Sequence, residues 1–142
     1  MIQELMIINQ AGLAIFYHNF IDSNNVENEQ SLASYFDIIC RFTKHNFKES
    51  LRMLSLDSCL FFFYTHKSLY HLVLKCKNKD FDKKLLESVS ECIIEEFLRK
   101  YRYILEDFNG EISKFHSFSV VLDEILTVKA KDLKSALLIE QR

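Results

Sequence analysis

Hydrophobic positions in this chain change their period several times, and each change marks an element. Leu5-Met6-Ile7-Ile8-Asn9 and Leu13-Ala14-Ile15-Phe16-Tyr17 are two short strand-like runs. They are joined through Gln10-Ala11-Gly12, where Gly12 can take the positive φ that a tight hairpin turn requires. Asp22-Ser23-Asn24-Asn25 is a polar turn cluster, and Asn25 or Asn28 is placed to cap a helix with Glu27 and Glu29 near its positive end. Leu32, Tyr35, Phe36, Ile39 and Phe42 or Thr43 then recur at helical spacing, with Ser34, Asp37, Arg41 and Lys44 on the other side. This predicts an amphipathic helix lying on one face of a sheet.

Three more strand patterns follow, Leu51 to Leu56, Leu60 to Thr65 and Leu69 to Lys77, with Asp57-Ser58 and His66-Lys67-Ser68 as their turns. Leu60-Phe61-Phe62-Phe63-Tyr64 is apolar at successive positions, which predicts a strand covered on both faces. A long helix begins near Asp82 and carries Leu85, Leu86, Val89, Cys92, Ile93, Phe97, Tyr101, Ile104, Leu105 and Phe108 as far as Asn109-Gly110. Its length is roughly 40 Å at the helical rise per residue. A third helix is predicted after Ser113 or Ser117, with Phe118, Val121, Leu122, Ile125 and Leu126 on its apolar side. The spacing of Leu133, Leu137 and Leu138 is compatible with one or two further helical turns. The whole reads as an α+β fold, a five-stranded antiparallel sheet in the order ββαβββαα with helices on both faces: a domain over 1–128 and a tail over 129–142.

Composition narrows the class. With 49% hydrophobic residues, 13 Phe and 6 Tyr, the 142-residue chain can fill a substantial core, and zero Pro with two Gly leaves no flexible linker. A net charge of −2 gives no global attraction for nucleic acid, so that partner class is disfavoured. Met1-Ile2-Gln3-Glu4 lacks the basic start of a signal peptide, and no uncharged apolar run reaches the ~18 residues of a membrane span. The expectation is a soluble, cytoplasmic protein without a transmembrane segment. Cys40, Cys59, Cys76 and Cys92 are widely spread with no C-x-x-C pair, which reads as reduced thiols.

The element order, together with Ile7-Ile8-Asn9-Gln10-Ala11-Gly12-Leu13-Ala14-Ile15-Phe16-Tyr17, the later Phe97-x-x-x-Tyr101-x-x-x-Leu105-x-x-Phe108-Asn109-Gly110, and Phe115-x-x-Phe118-x-x-x-Leu122-x-x-Ile125-Leu126, resembles the longin domain over Met1 to Leu126. The similarity is to stand-alone archaeal longin-like proteins and to the small longin subunits of trafficking complexes, including sigma-type adaptor and sedlin-type tether subunits. It implies a longin/profilin-like fold and a non-enzymatic adaptor or scaffold role in small-GTPase regulation or vesicle-trafficking assemblies. Implied partners are a small GTPase, a longin or roadblock protein, a helical peptide, or a second copy in a homodimer. The chain departs from the longin SNAREs, which continue into a long heptad segment and a membrane anchor. Roadblock domains place a helix before the first strand, for which there is no room here.

In longin domains the first helix and the adjacent third strand frame an apolar groove. By position these elements correspond to Leu32 to Phe42 and Leu51 to Leu56, so Leu32, Phe36, Ile39, Leu51 and Met53 are the expected partner-binding residues. Leu133 and Leu137 of the tail are candidates to occupy that groove. The third strand is expected at the sheet edge, and Met53 suits a surface that adapts to different apolar partners.

No catalytic residues, cofactor or metal are expected. His18, His45, His66, His71 and His116 show no H-x-x-x-H spacing, although His66 and His71 flank a hairpin turn closely enough to approach one another. Cys59 with Asp57 and His66 supplies the residue types of a nucleophile, orienter and base, but a thiol entering so apolar a strand reads as inert. Lys75, Lys77, Lys79, Lys83 and Lys84 concentrate positive charge that suits a solvated rim or peripheral contact with an anionic membrane. The aromatic content also fits a rival reading, a small-molecule-sensing domain of the PAS or GAF kind. Such pockets need a few placed polar groups, and the sequence marks none.

Overall fold

The computed structural model describes residues 2–21, 28–77 and 82–128. Two compact units divide the chain, Met1–Phe81 and Asp82–Arg142. The first holds a five-stranded antiparallel sheet and one helix: β1 (Ile2–Ile8), β2 (Ala14–Asn19), α1 (Glu29–Phe47), β3 (Met53–Ser55), β4 (Cys59–His66) and β5 (Tyr70–Lys77). The second holds α2 (Lys83–Glu106), a 3-10 turn (Ile112–Phe115) and α3 (118–128). The expected α+β order of five strands and three helices is therefore present. The candidate cap Asn25 and the tail residues Leu133, Leu137 and Leu138 lie outside the described residues.

The sheet runs β2-β1-β5-β4-β3, with every neighbouring pair antiparallel, so β2 and β3 are its edges. The β1–β2 turn is organised by Asn9, whose Oδ1 accepts from the N–H groups of Ala11 and Leu13, both at 3.0 Å. Gly12 has φ +79, and a Cβ there would sit 3.1 Å from Asp37 Oδ2 on α1. Both the backbone angle and the close approach therefore favour glycine. At the β4–β5 turn the Leu69 N–H donates to the His66 carbonyl at 3.0 Å, while Lys67 (φ 51) and Ser68 (φ 60) are both left-handed. This is the type I′ geometry that matches strand twist, held here by two residues with side chains instead of the usual Asn-Gly.

Pairing of Met6 with Val73, Ile8 with His71 and Phe63 with Val73 fixes which side chains face α1. Met6, Ile8, Ala14, Phe63 and Val73 pack with Ala33, Phe36 and Cys40 of the helix. The alternate positions Leu60, Phe62, Leu72, Leu74 and Cys76 are buried too, as the unbroken apolar run in β4 predicts.

Helix α1 lies differently from the amphipathic pattern. The expected buried stripe included Tyr35 and Phe42, yet these are 52% and 58% exposed, and Ile38 is 64% exposed. The buried face is Ala33, Phe36, Asp37 and Cys40. Ala33 and Cys40 are small enough to bring the helix close to the sheet, and Asp37 there faces His71 of β5. Asn28 occupies the N-cap position with φ 72 but makes no side-chain cap hydrogen bond.

In the second unit Asp82 caps α2, its Oδ1 accepting from the Leu85 N–H at 3.1 Å. The helix departs from α geometry at Tyr101 (φ −110, ψ 17). There the rings of Phe97, Tyr101, Phe115 and Phe118 cluster, with Phe97 centred 5.1 Å from Phe118 and Tyr101 5.1 Å from Phe115. The Tyr101 hydroxyl shares a hydrogen bond with Ser117 Oγ at 2.7 Å.

Candidate functional site

The sequence-predicted groove residues separate in space. Phe36 is core, 3% exposed, with its ring against Phe61 and Phe63. Leu32 lies at the rim of a small cleft of about 60 Å³ shared with Tyr17, Phe36, Phe61 and Val73. The same cleft holds Glu4, which accepts from the Tyr17 hydroxyl and pairs with Lys75 Nζ at 3.0 Å. Burial and then Glu4 push the Tyr17 hydroxyl far above its ordinary pKa. Leu51 and Leu54 pack on the α1 side of the sheet. Met53 does not join them: it pairs with Phe62 and, by the alternation of β3, faces away from α1. Ile39 is half-buried.

What α1 presents outward is an unbroken uncharged stripe. Tyr35, Ile38 and Phe42 follow one another at i, i+3 and i+7, and the Phe42 ring meets the exposed Phe47 ring edge-on at 6.3 Å. β3 is an edge strand hydrogen-bonded to β4 alone among the described strands.

On the other flank of α1 is a polar cleft of about 670 Å³ between the helix and the β1–β2 and β4–β5 turns. At its base Asp37 Oδ2 takes Arg41 Nε at 3.0 Å, and Arg41 also donates through Nη2 to the Gln10 carbonyl. Asp37 Oδ1 is buried without a hydrogen-bond donor among the described residues and faces His71 Nε2 at 3.7 Å. The Nδ1 of that imidazole is 2.9 Å from Thr65 Oγ1. Burial lowers the pKa of His71, with Arg41 acting the same way and Asp37 against it. The Cys40 thiol in the wall is pushed up to about 11 by burial and by Asp37, which leaves it a thiol at neutral pH.

Sequence reasoning missed this cleft. Its local signal is Asp37, Arg41 and Lys44 at i, i+4 and i+7, a spacing that by itself reads as the solvent side of the helix. Gln10, Thr65, Lys67, Ser68 and His71 come from turns and strands distant in sequence. His66 and His71, close along the chain around the turn, sit at positions of opposite parity that face opposite sides of the sheet. Of the lysine cluster, Lys75 is taken up by Glu4, and Lys79 lies outside the described residues. Among the described residues no group of three or more His, Cys, Asp or Glu is placed to hold a metal ion. The four cysteines are free.

No family model and no curated protein matches this chain. Among solved structures, a Roadblock/LC7 domain from Streptomyces avermitilis aligns over 72% of this chain and 86% of its own, with a TM-score of 0.55 at 16% identity. The fold is the roadblock/longin fold. MglB of Myxococcus xanthus also aligns, over 55% of this chain at 14% identity with a TM-score of 0.46, and this chain spans 66% of its length. In roadblock/longin terms, the outward stripe belongs to the helix between the second and third strands, and the open edge strand is the third. No helix among the described residues is long and apolar enough to cross a membrane.

Proposed function

We propose that this chain is a non-enzymatic roadblock/longin-type interaction subunit, working in the cytoplasm in small-GTPase regulation or a trafficking-type assembly, and that it pairs with a second copy of itself. The observation that carries the pairing is the exposed Tyr35-Ile38-Phe42 stripe on α1. Solvent-facing apolar side chains at helical spacing, without an interrupting charge, mark a surface that is covered in use. The stripe is self-complementary. With two α1 helices antiparallel about a two-fold axis near Ile38 and Ile39, Tyr35 of each copy meets Phe42 of the other. The GTPase part of the reading is supported by the fold resemblance.

The mass of the protein in solution, measured by light scattering across a concentration series, tests the pairing. A dimer is expected, with Ile38→Glu and Phe42→Glu each giving a monomer of unchanged melting temperature. A wild-type monomer throughout the series overturns it. For the GTPase part, small GTPases of the source organism are titrated with the protein in their GDP and GTP-analogue forms. No nucleotide-dependent binding and no change in hydrolysis rate across the set overturns that half.

A further inference from the structure

We propose that the cleft beside Asp37 is a binding site for a small phosphomonoester. Its volume, about 670 Å³, lies within the roughly 300–1,000 Å³ of small-ligand sites. Arg41, Lys44 and Lys67 line it against a single carboxylate, Asp37. The Asp37 charge is already met by Arg41 at 3.0 Å, so the Lys44 and Lys67 ammonium groups have no carboxylate partner among the described residues. The excess of two positive charges stands out on a chain whose formal net charge is −2.

The chemistry of the lining selects among anions. A phosphomonoester carries close to two negative charges and three acceptor oxygens at neutral pH, which matches two free ammonium groups together with hydroxyl donors. Ser50, Thr65 and Ser68 supply those hydroxyls around the same space. Arg41 is fixed by the Gln10 carbonyl and by Asp37, which leaves its remaining N–H groups oriented without further loss of side-chain freedom. The negative end of α1 is muted, because Asn46 Nδ2 takes the Phe42 carbonyl, Lys48 N the Lys44 carbonyl and Lys48 Nζ the His45 carbonyl. The charge is gathered into one concavity rather than spread along a stripe, which favours a small ligand over a nucleic-acid strand.

Backbone NMR titration with inorganic phosphate at constant ionic strength tests the site. Saturable shifts are expected at Arg41, Lys44 and residues 65–71, with a Kd at or below about 1 mM. The double variant Lys44→Gln/Lys67→Gln should weaken binding at least about tenfold, since it removes two charge-assisted contacts. Glycerol 3-phosphate and phosphatidylcholine vesicles carrying phosphatidylinositol 4-phosphate distinguish the source of the ester. Vesicle retention that free phosphate displaces assigns a lipid headgroup, and binding of glycerol 3-phosphate without retention assigns a free ester. Shifts that never saturate or that spread over all surface lysines overturn the proposal, as does a double variant that binds like the wild type. Phosphate binding that neither ester reproduces also overturns it, because a monoester site must admit the organic half. The cleft lies on the flank of α1 away from Tyr35, Ile38 and Phe42, so these results are independent of the dimer.

Discussion

Asp37 does more than any other single residue to organise its unit. It is buried on α1, holds Arg41, faces His71 and sits against Gly12, so a turn, a strand and a helix converge on one carboxylate. His71 makes this arrangement sensitive to acid. Burial holds its folded-state pKa below the ordinary 6.5, so in the unfolded chain the imidazole takes up a proton at a higher pH than in the folded one. Stability is then fully present above about pH 6.5 and is lost as the pH falls through the folded value. Thermal melts between about pH 7.5 and 5.5 should show this decline, and His71→Asn should shallow it relative to the wild type. The neighbouring turn stores strain of another kind. Lys67 and Ser68 both take left-handed backbone angles, which cost residues with side chains on the order of 1 kcal/mol each. Lys67→Asn/Ser68→Gly should therefore stabilise the fold by about 1–2 kcal/mol in chemical denaturation. The same change should weaken phosphate binding in the cleft.

At the scale of elements, the sequence located α1 but not its rotation. Leu32, Tyr35, Phe36, Ile39 and Phe42 make a regular stripe, and so do Ala33, Phe36 and Cys40; periodicity alone does not say which faces the sheet. The choice falls to the second because its small residues allow close approach and because Asp37 on that face lies against His71 of β5 and Gly12 of the first turn, both far away in sequence. For the same reason the cleft was illegible: Asp37, Cys40, Arg41 and Lys44 share one helix, but Gln10, Thr65, Lys67, Ser68 and His71 come from elements far away in sequence. Elements held by local signals were read well, and α2 is the clearest case, capped by Asp82 and carrying the expected Leu85, Leu86, Val89, Ile93, Phe97 and Tyr101 on its buried face. Tyr101→Phe should cost about 1 kcal/mol by removing the hydrogen bond to Ser117 Oγ. Phe97→Ala, which empties the centre of the aromatic cluster, should cost about 3–5 kcal/mol by the same denaturation measurement.

On the scale of the whole molecule, the order ββαβββαα was readable because each strand–turn junction carries its own polar punctuation, from Asn9 to Asp57-Ser58 and His66 to Ser68. The placement of β3 at the sheet edge was readable as well. That edge has a counterpart on the far side that is already occupied. The side-chain amide of Gln30 donates to the Ala14 carbonyl at 2.9 Å and accepts from the Ala14 N–H at 2.9 Å, imitating a neighbouring strand for one residue of β2. The pairing of β1 with β2 also shifts register between Ile7 and Ile8, which bends that edge. A sheet that can be extended at β3 and is blunted at β2 has one sticky side. In the proposed pair, two copies joined there would leave only blunted sides outward, so growth would terminate at a closed pair instead of running on into a fibre.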